Sequence, residues 1–178
     1  VGKRAQEFGF HFHLYPISSD ESGLKKYREL AEESQNFHLH DALDYHQWLA
    51  DIEQYDIGFF YIHPNNSSQE DGVFRMKEPS GAWANKFGDF VDAELYSILT
   101  PLGKAMVFYA KRYNIGHAVT ADQILTSEFW DELKQQVVVD GIDFTEAREK
   151  FAIKGHGKRL INFYDKATND NFYSPIIS

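Results

Sequence analysis

Apolar and polar positions alternate between two periods along this chain. Residues 10–16 carry apolar side chains at every second place, the spacing of a strand, and after the turn SSDES the apolar positions Leu24, Tyr27, Leu30 and Ala31 recur at helical spacing. The same alternation predicts strands at Phe37–His40, 56–62, 96–100 and 115–119. Helices are predicted from Asp44, from about Trp83, over Leu102–Tyr113, Ser127–Gln136, Phe144–Phe151 and Lys158–Ala167. Asp44 with Gln47 reads as a capping box, and Tyr45, Trp48, Leu49 and Ile52 form the apolar stripe that follows it. VGKRAQEFG reads as the tail of a helix ending at Gly9, which suggests a fragment of a longer chain.

Strands separated by helices pair in parallel through right-handed crossovers. The expected fold is therefore α/β: a three-layer, Rossmann-like or flavodoxin-like parallel sheet of about five strands, with helices on both faces and a helical C-terminal tail. The apolar run DIGFFYI at 56–62 suits a central strand covered on both sides. In such sheets ligands bind beyond the carboxyl ends of the strands, where the winding reverses. The long polar stretch His63–Ser80 leaves from one of those ends and is a candidate lid, expected to be mobile without ligand.

Composition narrows the classes. With 178 residues the chain is read as one domain, 1–178, with enough length for a sizeable core, and aromatic residues make up 16% of it. There are no cysteines, so neither a disulfide scaffold nor a cysteine-type zinc site is available, and a reducing compartment suits it. A net charge of -9 disfavours nucleic acid and anionic lipid, although Lys150–Lys166 is locally basic. No apolar run reaches the length of a membrane span. G-x-G-x-x-G, the phosphate-loop lysine motif and G-x-S-x-G are missing from the sequence, which removes the commonest α/β enzymes.

Two His-x-His triplets stand out, His11/His13 and His38/His40. Each pair shares one face of its strand. If the strands were neighbours in matching register, four imidazoles could converge on a transition metal. The alternative is that Phe10, Phe12, Leu14, Phe37 and Leu39 fill the core and the histidines take the more polar face. No HExxH accompanies them and no carboxylate or thiolate completes a ligand set, so no metal site is expected.

The segment NFHLHDALDYHQWLADIEQYDIGFFYI (36–62) resembles the part of GT-B glycosyltransferases, family 4-like, in which a strand, a helix and a "YDiG" strand approach the donor site. ANKFGDFVDAEL (84–95), the strand YSILT and YAKRYNIGHAV (109–119) are similar to that family's "NK-FeY" helix, the strand after it and its later "kY-iG" element. LINFYDKA (160–167) resembles its closing helix. The resemblance implies the C-terminal, nucleotide-sugar-binding half of a polysaccharide-building hexosyltransferase that is active when joined to an N-terminal half. Its partners would be a nucleotide-diphosphate sugar, a glycan or other acceptor and that missing domain. It implies no cofactor beyond the co-substrate, no metal, and a cytoplasmic location, at most peripheral to a membrane. The substrate-binding residues carried over are Asn85 and Lys86, matching "NK", and Asp89, the carboxylate that would hold the donor ribose. The catalytic residues stay unassigned.

Two departures bear on this. The family's Gly-Leu-Pro after the helix is Glu94-Leu95-Tyr96 here, so either the donor pocket is altered or catalysis is lost. The family's first, central strand would precede residue 1. Without it the expected spatial order is 2-1-3-4-5, which could still close into one sheet, with both His-x-His strands away from the point of reversal. The rival reading is a non-catalytic, degenerate GT-B-like module that binds a partner protein or a glycan.

Overall fold

The computed structural model describes residues 1–16, 21–60, 85–151, 161–162 and 164–166. The expected mobile segment His63–Ser80 lies outside them. In chain order the elements are α1 (Gly2–Glu7), β1 (Phe12–Leu14), α2 (Glu21–Glu33), β2 (Phe37–Leu39), α3 (Tyr45–Ile52), β3 (Ile57–Phe60), α4 (Asn85–Asp92), β4 (Tyr96–Leu99), α5 (Lys104–Arg112), β5 (Gly116–Ala118), α6 (Ala121–Ile124), α7 (Ser127–Lys134) and α8 (Thr145–Phe151). A π-helical stretch, Gln135–Asp140, continues α7, and 161–162 and 164–166 are helical. Among these residues no helix is long and apolar enough to cross a membrane.

Local chemistry sets several boundaries. Asp44 accepts from the Gln47 N–H at 3.0 Å while Gln47 Oε1 accepts from the Asp44 N–H, the reciprocal box expected at the start of α3. Thr120 and Gln123 repeat the device at α6, a single turn that the periodicity does not predict. Gly9 ends the entry from α1 with φ +81°, in the region glycine occupies without strain.

All strand pairs are parallel, as expected, but the single five-stranded sheet is not formed. β1 pairs with β2 in one two-stranded sheet, and β3, β4 and β5 make a second of three strands in that order. Both halves of the expected order 2-1-3-4-5 are therefore present, and the pairing of β1 with β3 is absent. In place of their ladder lies a cavity of about 460 Å³ bordered by both strands. One consequence is that β3, expected to be central and doubly covered, is only partly buried. The strand buried at every position is β4.

Three apolar clusters hold the layers. On one face Phe10, Ile57, Phe59, Tyr96 and Ile98 meet Ala5 of α1 and Phe129, Trp130 and Leu133 of α7. On the other, Leu99 packs with Phe87 and Val91 of α4, Met106 and Ala110 of α5, and Ala147 of α8. Ile52, Phe90 and Leu95 join α3 to α4. Phe87, Phe90 and Val91 are thus the buried face of α4, as the pattern predicts. Full burial of such side chains stabilises by about 1.5–3 kcal/mol each. Gly58 admits Phe90 to this arrangement, since a Cβ at Gly58 would stand 2.4 Å from the ring.

Candidate functional site

The crossover helices α3 and α4 bring together side chains that sequence spacing keeps apart. α3 starts with Tyr45 just after its cap, and α4 starts with Asn85. Each helix follows a strand of a parallel layer, so each begins on the side of the carboxyl ends. Tyr45 Oη donates to Asp89 Oδ1 at 2.8 Å, and the bond raises the affinity of the Tyr45 hydroxyl for its own proton. Asp89 is buried. One turn earlier, Lys86 Nζ lies 3.8 Å from the centroid of the Trp48 ring, a cation–π contact. Partial desolvation lowers the Lys86 pKa, and the nearby Asp89 charge opposes the shift.

Lys86 and Asp89 are therefore not an ordinary i,i+3 ion pair: the cation turns to Trp48 and the carboxylate to Tyr45. Asn85 is exposed at the first position of α4. Of the three residues singled out from sequence, only Lys86 borders the cavity, which Trp48, Tyr55, Phe90 and the β1 edge also line. The partners Tyr45 and Trp48 read from sequence as members of an apolar stripe. Their polar roles depend on how α3 crosses α4, which no local spacing encodes.

The histidines form a ladder across β1 and β2. His13 is paired in register with His38. His11 Nδ1 lies 2.9 Å from His38 Nε2, and His13 Nδ1 lies 2.9 Å from His40 Nε2. The ligand nitrogens of His11, His13 and His38 all fall within 4.8 Å of one another, and no carboxylate belongs to the group among the described residues. Burial, then the neighbouring imidazoles His38, His40 and His11, bring the His13 pKa down to about 4; Asp51 opposes them. Desolvation and then His11 and His40 lower that of His38 too. As expected, the two strands are adjacent with β2 at an edge. The expectation that the ladder stands away from the reversal point needs correction, because His11 and His13 line the cavity between the sheets. Splitting of the sheet at β1 brings them there.

Beyond the ladder, Tyr15 Oη bonds the Asp51 carboxylate and lies 2.5 Å from Tyr55 Oη. Burial and then these bonds raise the Tyr15 pKa. Tyr55 also packs against His13, the rings tilted by 40° with centroids 4.4 Å apart. The cavity wall beside Lys86 is accordingly aromatic, able to stack on a flat ring and to accept or donate hydrogen bonds.

No protein family, curated protein or solved structure matches the chain in comparisons with known proteins.

Proposed function

We propose that this chain is the donor-binding domain of a GT-B-type glycosyltransferase, which holds a nucleotide-diphosphate sugar while the sugar passes to a glycan or other acceptor. One observation carries the reading: Lys86 and Asp89, a cation and a carboxylate one turn apart, stand in the first two turns of α4, with Lys86 at the cavity between the two sheets. In this reading Lys86 leaves the Trp48 ring for the diphosphate, assisted by Asn85 and the backbone N–H groups at the start of α4. Asp89 keeps Tyr45 on Oδ1 and takes a ribose hydroxyl on Oδ2. The leaving diphosphate is stabilised by these groups, so the reading needs no metal. A second observation supports it. Glu94 has φ +58°, the backbone region that the glycine of the resembled family would occupy without strain.

The site on Asp89 is already engaged by Tyr45, and this favours the alternative of a module that has lost nucleotide and binds a protein or glycan. Calorimetric titration with uridine, guanosine and adenosine diphosphates separates the two. The donor reading expects one of them to bind, and Asp89→Asn to cost on the order of 1–3 kcal/mol of affinity. Lys86→Ala should weaken binding as well, both with the fold intact by thermal melt. Binding of none of the three favours the module. Binding that neither substitution changes would mean that the wrong residues have been assigned.

A further inference from the structure

Charge is segregated along the middle of the chain. No Asp or Glu occurs from 95 to 121, and no Lys or Arg from 113 to 133, in a chain whose net charge is -9. The fold turns this separation in sequence into a separation in space. Tyr96 and Ile98 of β4 pack toward α7, whereas Leu99 packs toward α5, so the two helices lie on opposite outer layers of the three-stranded sheet.

On α5 the core side is taken by Met106 and Ala110. Lys104, Phe108, Lys111 and Arg112 follow the spacing i, i+4, i+7, i+8 and share the opposite face, where all four are exposed. Phe108 is exposed to 58%. An aromatic ring held in water among three cations has the make-up of an interface, in which aromatic residues and arginine are enriched. Arg112 rests over the neighbouring Tyr113 ring, and none of the three cations has an ion-pair partner among the described residues.

The outer face of α7 is the converse. Glu128, Asp131 and Glu132 are exposed there, and neither Glu128 nor Asp131 has an ion-pair partner among the described residues. Beside them an open groove of about 520 Å³ is lined by Asp131, Glu132, Gln135, Gln136 and Asp140. Its carboxylate and amide oxygens are acceptors, which a guanidinium or ammonium group requires. Val139, next to Asp140 in the chain, is 66% exposed and adds apolar surface.

We propose that the α5 face of one copy of this chain docks on the α7 face of a second copy, with Arg112 in the acidic groove and the Phe108 ring covered by the contact. Because the two faces lie on opposite layers, the contact is heterologous, and copies add head to tail into a chain or a ring. An anionic bilayer fits the α5 face less well, since it repels a net charge of -9 and a single phenylalanine buries little area in it. The proposal goes beyond the donor reading and does not depend on it: Lys86, Asp89 and the cavity between the sheets take no part.

Sedimentation velocity from micromolar to millimolar concentration tests this on the 178-residue chain and two charge-reversed variants. Lys111→Glu with Arg112→Glu makes the α5 face acidic like α7, and Glu128→Lys with Asp131→Lys makes the α7 face basic like α5. The wild type is expected to grow past the dimer as concentration rises and each variant alone to stay monomeric. An equimolar mixture of the two variants should associate again, because the unaltered α5 face of one then meets the unaltered α7 face of the other. Lys25→Glu with Lys26→Glu on α2 changes the net charge as much as the first variant and should associate as the wild type does; its dissociation would trace the effect to net charge and overturn the proposal. A wild type that is monomeric at millimolar concentration overturns it too, as does a reversed variant that associates like the wild type or a mixture that stays monomeric. Capture of a monomeric wild type by phosphatidylserine vesicles or by polyglutamate would give the α5 face to a bilayer or an acidic partner, against the proposal. If a reversed variant does not fold by thermal melt, Arg112→Gln and Asp131→Asn must each weaken the association by about tenfold or more, and no change in either counts against it.

Discussion

The hydroxyl of Tyr45 and the carboxylate of Asp89, 44 residues apart, are hydrogen-bonded at 2.8 Å and tie the first turn of α3 to the second turn of α4. The bond goes to the carboxylate of a buried residue, the kind of contact that costs most to break from one side. Tyr45→Phe keeps the ring and removes the donor. It should lower the free energy of unfolding by about 1 kcal/mol, read from urea midpoints at constant slope. A change within error would mean that water replaces the hydroxyl at no cost.

Glu94 carries the left-handed backbone that follows α4, with φ +58°. Its side chain bonds Arg148 of α8, but both are exposed, and such a pair is worth little. Glu94→Gly should therefore stabilise the chain by about 1 kcal/mol, since relief of the left-handed strain exceeds the loss of the ion pair. Arg148→Ala alone isolates the ion-pair contribution. A destabilised Glu94→Gly variant would show the pair to be worth more than the strain.

The imidazole ladder sets a direction for pH dependence. His13 titrates near 4 in the folded chain and near 6.5 when unfolded, so between those values the unfolded chain binds more protons. Stability is then full above about pH 6.5 and is lost as pH falls toward 4. His38, shifted the same way, adds to the loss. Melting temperatures from pH 7 to 4 should decline, and His13→Phe, which keeps an aromatic ring against Tyr55, should flatten the decline. An unaltered slope in that variant would place the titration elsewhere.

The same ladder is expected not to hold a metal tightly. His11 and His38, and His13 and His40, are already hydrogen-bonded through their ring nitrogens, and a cation would have to displace those bonds. Protein purified without a histidine tag should carry substoichiometric zinc, nickel and copper by elemental analysis. Stoichiometric metal that disappears when His11 and His38 are mutated together would reverse this reading.

The elements were legible in the sequence wherever one residue or one period decides them. Asp44 with Gln47 marks the start of α3, and Phe87, Phe90 and Val91 mark the buried face of α4. The parallel strands follow from the alternation of periods. Sheet closure was not legible, because pairing of β1 with β3 depends on edge geometry, and the apolar run through Phe59 reads alike in a central strand and beside a cavity. Asn85, Lys86 and Asp89 could be singled out only by resemblance. Their partners Trp48 and Tyr45 come from another helix, and the histidine contacts needed the parallel register that sets His13 beside His38. Thr120 and Gln123 cap α6 in the structure, but a single turn gives no apolar period to read, and no helix was expected there.

Phe90 rests on Gly58 with no room for a methyl group between them. The ring therefore acts as a spacer of fixed thickness, and the height of α4 above β3 is set by contact and not by a flexible tether. Asp89 is the neighbour of that ring, and Lys86 lies one turn away on the same rigid rod. Any tilt of β3 is passed through this contact like the stroke of a piston to the carboxylate and the ammonium. The sheet and the two charged groups are in this sense one mechanical part, with Gly58 as its bearing.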